Sequence, residues 1–206
     1  MSEAIRTVDL QEFLCSRRSI RQFLPDQVPS EVLNRILQTA TWAPSAHNRQ
    51  PWRFVIIRDQ EIKKFLVEQM GAKFRQDLLS DGIEQEQVEK QIARSRGRLL
   101  GAPVSILVCQ DTSLGDDYPD ASRRQAEFLM GVQSVALAAG QLLLAAHAAG
   151  LGGAWVCAPL FAQEIARRVL DLPATWDPQA FLLLGYPAED PAPRPRLGLS
   201  EVARFI

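Results

Sequence analysis

The sequence predicts an α+β fold of one domain over residues 1–206, a small central mixed sheet surrounded by more helix than strand. Three observations carry that prediction. Short β-rich runs are scattered between longer stretches of helical spacing. One helical pattern continues unbroken over residues 122–150. Neither an internal repeat nor a linker divides the chain.

The elements follow in order. Leu10, Phe13 and Leu14 share one face of a short helix over residues 10–15. After a basic run, Pro29 and Ser30 open a second helix: Ser30 is placed to cap, Glu31 sits in the first turn, and Val32, Leu33, Ile36 and Leu37 recur at helical spacing. Ala43-Pro44-Ser45 stops it, and a loop runs to Pro51. Trp52-Arg53-Phe54-Val55-Ile56-Ile57 reads as a strand. Residues 61–100 are charged and helical in pattern, with a break near Ser80-Asp81-Gly82. Pro103 ends them, and residues 104–109 read as a second, buried strand. Residues 111–120 form a loop. The 122–150 pattern is apolar nearly all round in its second half, as in a helix covered on every side. A short strand at 154–157, a helix at 161–170, a last strand at 181–185 and an extended tail from Pro187 complete the chain.

Composition excludes several classes of function. At 206 residues and 47% hydrophobic, the chain fills one core, its own or one shared with a partner. The 23 Lys and Arg balance 24 Asp and Glu, which argues against nucleic acid as a partner yet leaves room for a local phosphate site. Cys15, Cys109 and Cys157 are an odd count at unrelated spacings, so a reducing cytoplasm is the expected setting. With His47 and His147 the only histidines, no metal site is expected. Met1 to Asp9 carries charges and no apolar core of a secretory signal. Gln133, Gln141 and His147 interrupt the most lipid-like stretch, which therefore reads as a buried helix, with no membrane as partner.

Four segments are candidates for chemistry. In Arg17-Arg18-Ser19-Ile20-Arg21, alternation puts Arg17, Ser19 and Arg21 on one side of an extended segment, where guanidinium forks and a hydroxyl suit phosphate oxygens. Taken alone, the run reads as a solvated basic turn. Pro44-Ser45-Ala46-His47-Asn48-Arg49-Gln50-Pro51 offers donors and acceptors pinned by two prolines, or an ordinary polar connection. Gly150-Leu151-Gly152-Gly153 lacks the order of a dinucleotide fingerprint and reads first as a helix C-cap. Arg194-Pro195-Arg196 lies in the Pro-rich tail. No Ser-His-Asp set, Cys-His pair or carboxylate pair stands out, so no catalytic side chain is assigned.

In this order the four segments resemble the nitroreductase superfamily, over about Phe13 to Val202. Residues 70–83, 118–124 and 169–178 further resemble one branch, the FMN-binding C-terminal domain of the deazaflavin-coenzyme γ-glutamyl ligase, without the ligase domain. The resemblance implies a nitroreductase-like fold, a homodimer packed through the long helix and sharing two FMN sites, and NAD(P)H as electron donor. It implies that Arg17, Arg18, Ser19 and Arg21, with Arg194 and Arg196, hold the FMN phosphate and ribityl chain. Pro44, Ser45 and Ala46 would lie against the other subunit's flavin, with Asn48 and Gln50 shaping that loop. Arg94 or Arg98 would meet the pyrimidine edge. Near flavin N(5), around residues 157–160, Pro159 has no N–H, so Leu160 is the expected donor, with Ala158 beside it.

Positioned donors and cations suffice for such chemistry, which accounts for the missing triad. The leading expectation is hydride transfer from NAD(P)H through FMN to a small conjugated or nitroaromatic acceptor, possible substrates including a deazaflavin-coenzyme precursor. The alternatives are a non-catalytic flavin or deazaflavin-binding module and an oxygen-dependent, flavin-consuming enzyme. Cys109, Cys157, Trp42 and Trp176 are expected in packing roles, Trp42 bordering the pocket, and His147 as a hydrogen-bonded core residue.

Overall fold

Two buried runs decide the architecture. Val104–Asp111 (β2) is buried at every position, and so is nearly all of Trp176–Gly185 (β4). A strand buried on both faces needs a helical layer on each side, and the computed structural model, which describes residues 7–206, has that arrangement. Most of the charged segment from Met1 to Asp9 lies outside the described residues.

Helices Thr7–Ser16 (α1) and Ser30–Ala40 (α2) precede strand Trp52–Ile57 (β1). A helical hairpin follows, Gln60–Ser80 (α3) and Gln85–Leu100 (α4), and leads into β2. The long helix Ala121–Ala148 (α5) turns into strand Gly152–Val156 (β3), then helix Gln163–Val169 (α6), β4, and a last helical turn, Leu199–Val202 (α7), in the tail. The sheet order is β1-β2-β4-β3, and every neighbouring pair is antiparallel. The sheet is thus not mixed; the parallel pairing among the described residues is one isolated bridge, Ser19 to Gly153.

Alternation sorts the core into two halves. Val104, Ile106 and Val108 of β2 and Leu182 and Leu184 of β4 pack with α2 and α5. Leu107, Cys109, Phe181 and Leu183 point the other way, into a cluster with α3, α4 and α6. The helix starts are fixed locally. The Asp59 carboxylate accepts from the N–H groups of Glu61 and Ile62, both at 2.9 Å, and Asp120 accepts from that of Arg123. Ser30 is not a cap: it is the first residue of α2, and its hydroxyl accepts from Arg58 Nη1 at 2.9 Å.

β4 begins five residues before the predicted strand. Pro178 masks its first half in the sequence, and a bulge accommodates it: Val108 pairs with Ala180 and Cys109 with Pro178, so Gln179 has no partner. Trp176 packs against the α3–α4–α6 cluster as expected. Trp42 does not pack; it is 79% exposed. Cys157 is exposed as well, while Cys109 is buried. α5 is long and apolar enough to cross a membrane by length and composition, but its inner face carries Val135, Ala138, Ala139 and Leu142 of the core. It is not covered on every side: Phe128, Leu129 and Leu137 are exposed, Leu137 at 52%.

Candidate active site

The chain brings the basic run to the sheet edge through close contact. α5 ends in a Schellman turn, with Gly150 at φ +75, its N–H donating to His147 O and that of Leu151 to Ala146 O. β3 starts at once, and the 19–20 segment docks against it: the Ile20 N–H donates to Gly153 O at 3.0 Å. Gly152 makes this possible, because a Cβ there would stand 2.7 Å from Ile20 Cβ. The Gly-rich segment is therefore a C-cap, as its sequence suggests, and also the seat of the basic strand.

Around that seat the arginines divide into two groups. Arg17 and Arg18 line a cavity of about 300 Å³ with His147, Gly152 and Glu189. Arg18 Nη1 donates to the carbonyls of Cys15 and Arg17. His147 hydrogen-bonds Ser16 Oγ at 2.7 Å and stacks on Phe13 with ring centroids 5.0 Å apart. Burial, and then Arg17 and Arg18, hold its imidazole below the ordinary histidine range.

Arg21 lies toward α4. Its backbone N–H donates to Glu189 Oε1 at 2.5 Å, and its guanidinium reaches the carbonyl of Ser19 at 3.3 Å. Arg98 is pushed down by burial and then by Arg21 and Arg94, which places these three cations in one field. Among the described residues, none of Arg17, Arg18, Arg21, Arg94 and Arg98 forms a salt bridge.

The tail returns to the same edge. Phe23 bridges Pro187, Leu24 N–H donates to Tyr186 O, and Ala188 N–H donates to Gln22 O. Arg194 and Arg196 lie farther along and are exposed, the Arg196 guanidinium 3.4 Å from the Arg194 carbonyl.

The residue 44–51 loop is anchored on α5 and holds an unusual backbone. His47, Asn48 and Gln50 all have φ between 53 and 54, a left-handed conformation that side chains ordinarily avoid. Ser45 Oγ accepts from the Gln50 N–H at 3.0 Å, and the Ala46 N–H donates to Ser134 Oγ at 3.2 Å. Arg49 completes the anchor by pairing with both Glu127 and Asp116. Pro44 and Asn48 are exposed; Ser45 and Ala46 are half-buried.

After β3, residues Ala158–Phe161 form a 3-10 turn. The Leu160 N–H is already used: it donates to Cys157 O at 3.0 Å. Ala158, first in the turn, has no such internal acceptor among the described residues, and an N–H at that position faces outward from a helical turn. Of the two expected residues, Ala158 is the one whose N–H has no internal backbone acceptor among the described residues.

Sequence reasoning missed Arg49, Glu127 and Glu189, which position this site. Glu127 is a buried acid on the amphipathic α5 that an arginine 78 residues away neutralises, and Glu189 bonds two N–H groups far upstream. Only the 17–21 run itself hinted that an acceptor was needed nearby.

Comparison with known proteins identifies the family. The pattern of the nitroreductase family matches residues 14–186. A Thermus thermophilus protein named NADH dehydrogenase is 31% identical over 214 residues, covering 98% of each chain. A Rhodospirillum rubrum protein named 5,6-dimethylbenzimidazole synthase is 33% identical, over 84% of this chain and 80% of the relative. A nitroreductase-like structure from Desulfovibrio desulfuricans, solved in complex with FMN, superposes with a TM-score of 0.73 at 25% identity, covering 98% of each chain. With its α+β sheet, its bridged basic strand and a family match over most of its length, this chain belongs to the nitroreductase family.

Proposed function

We propose that the protein is an FMN-dependent oxidoreductase that takes hydride from NAD(P)H and passes it to a small conjugated or nitroaromatic acceptor. One observation carries the reading: Arg17 and Arg18 beside β3, and the group of Arg21, Arg94 and Arg98, form no salt bridge among the described residues, although Glu189 and Asp190 line the same cavity as the first two, in a chain of net charge -1. Unpaired cations at close quarters suit an anionic ligand. That surrounding fits FMN, which when bound supplies reversible two-electron chemistry at one end and a phosphate at the other.

The protein's own residues bind and orient. Arg17, Ser19 and Arg21, with Arg18 and the tail's Arg194 and Arg196, form the phosphate clamp. Arg94 or Arg98 supplies positive charge at the pyrimidine edge, which favours reduction by stabilising the negative charge that reduction adds. The Ala158 N–H would be the donor toward N(5) of a bound flavin. The rigid 44–51 loop, presented by a second copy, excludes water from the ring face. The exposed apolar side chains of α5, together with Trp42, support such a two-copy assembly, since a surface of this kind is stabilised by burial. A cytoplasmic enzyme with no nucleic-acid or membrane partner fits the charge balance and the unpaired thiols. The branch resemblance over residues 70–83, 118–124 and 169–178 favours a deazaflavin-coenzyme precursor among the acceptors.

A second reading, oxygen-dependent consumption of the flavin, is favoured by the relative named 5,6-dimethylbenzimidazole synthase, because FMN carries the same dimethylbenzene ring. One experiment separates the readings. The purified protein is expected to be yellow, to bleach anaerobically with NADH or NADPH, and to recolour with an acceptor. Chromatography after reoxidation in air distinguishes intact flavin from consumed flavin. A colourless protein that takes up no added FMN overturns both readings. Yellow protein that no nicotinamide bleaches points instead to a binding module. Arg21→Ala is expected to weaken FMN binding by about 1.5–3 kcal/mol, roughly ten- to a hundredfold. Unchanged affinity would remove Arg21 from the clamp.

A further inference from the structure

A second cavity lies away from the 17–21 run. It measures about 570 Å³ and is enclosed by the α3–α4 hairpin and the 158–161 turn, within the range of small-molecule sites. Val67, Met70, Phe74 and Leu78 of α3 line one wall at helical spacing; Ile92 faces them from α4, and Phe161, 72% exposed, stands at the turn.

Most of the charge in the walls is already paired; Asp81 is the wall carboxylate with no salt bridge among the described residues. Glu68 pairs with Arg96 at 3.8 Å, Arg75 pairs with Glu89 through two contacts of 2.7 and 2.9 Å, and Asp77 pairs with Lys73. The first two pairs join α3 to α4, so they hold the two walls in place as well. Asp81, exposed, ends α3 at the far side. An anionic ligand would have to displace these partners, and a cationic one would find only the solvent-exposed Asp81; an uncharged one displaces nothing. Ser95 is the uncharged polar side chain in the wall.

Gly71 is the second observation. It sits in the interior of α3, in helical conformation, where alanine would favour the helix. Nor does crowding require glycine: a Cβ added there would meet nothing nearer than Ile92 Cγ2 at 4.0 Å. Neither backbone geometry nor packing accounts for it; the same is true of Gly97 and Gly140, but of the three only Gly71 lines the cavity. What the missing side chain leaves is volume, on the wall of a cavity whose emptiness costs stability. A void kept open at the expense of helix propensity is a place for a ligand.

We propose that this cavity binds a neutral, apolar, ring-bearing small molecule, with Phe74 and Phe161 meeting its ring and Ser95 one polar atom. The proposal goes beyond the reductase reading, because the site is built from one chain and needs neither flavin nor a second copy. The two meet only at Ala158, which lines the cavity and begins the turn assigned to the flavin.

The test is a fluorescence titration of the purified protein with N-phenyl-1-naphthylamine, a neutral two-ring probe. Saturable binding of about one probe per chain is expected. Gly71→Leu, which puts a side chain into the cavity, should weaken it at least tenfold while melting no lower than wild type. Gly97→Ala, on the same hairpin where an added Cβ meets nothing within 4 Å and outside the cavity wall, should bind as wild type does. If Gly71→Leu melts early, Gly71→Ala serves in its place, with an intermediate loss of binding. No binding by wild type, as when a second copy covers the cavity, overturns the proposal, and so does equal binding by wild type and the Gly71 variants. Failure of the flavin reading is distinguishable: a protein that binds the probe but takes up no FMN loses only its assignment as a reductase. One that bleaches with NADH but ignores the Gly71 substitutions loses only the cavity.

Discussion

Gly152→Ala tests whether the basic strand is positioned by close contact with β3. A Cβ at residue 152 would lie 2.7 Å from Ile20 Cβ and 2.8 Å from both Cγ atoms, and Ile20 is itself buried. Either Ile20 leaves its place or the 19–20 segment withdraws from β3 and loses the Ile20 N–H to Gly153 carbonyl bond. Overpacking of this kind costs about 1–3 kcal/mol, and a lost backbone hydrogen bond about 1 kcal/mol more. The expected loss of stability is therefore about 2–4 kcal/mol, read from urea unfolding. Flavin affinity should fall roughly tenfold or more, because Arg17 and Arg21 flank the displaced residues. Ile20→Ala removes two of the three clashing atoms, so the double variant should cost less than the two single variants summed, by at least about 0.5 kcal/mol. Strict additivity, or a Gly152→Ala protein with wild-type stability, would refute the reasoning.

Three other outcomes can be checked with simple measurements. Lys63 is 2% exposed, its Nζ donates to the Ala102 carbonyl, and burial lowers its pKa from the ordinary value of 10.5. Between that lowered value and 10.5 the unfolded chain binds more protons, so stability attributable to Lys63 rises with pH. Lys63→Met should then be at least as stable as wild type near neutral pH, with the gap narrowing as pH approaches 10.5; a loss above about 2 kcal/mol would contradict this. His147 has a folded pKa below its ordinary 6.5, so its contribution is present above pH 6.5 and is lost as pH falls through the folded value. His147→Gln should flatten the acid side of the stability profile; an unchanged slope counts against the assignment. A thiol reagent such as Ellman's should label Cys15 and Cys157 in the native protein, and Cys109, buried and pushed up to about 12, only after unfolding. Rapid labelling of all three would show that the β2 core opens.

The sequence by itself determined what depends on near neighbours. The β1 run, the hairpin broken near Ser80, the Gly150 C-cap and the long α5 all follow from periodicity and turn residues within a few positions. The order of the basic run, the Pro44 loop, the Gly-rich turn and the basic tail was enough to indicate the family before any fold was known.

Only the tertiary structure decided what depends on residues far apart in the chain. Pro178 reads as a strand breaker until β2 supplies a bulge to hold it. Trp42 and Cys157 read as packing residues, yet among the described residues both are exposed. Lys63 reads as surface until α4 ends over it, and Glu127 until Arg49 reaches it from the loop. The Arg17–Arg21 run was legible as a candidate phosphate site only through its order relative to the other three segments, and its division was not legible at all. Which arginine lies by His147 is set by the docking of that segment on β3, and a contact of that kind leaves no periodic trace in the sequence.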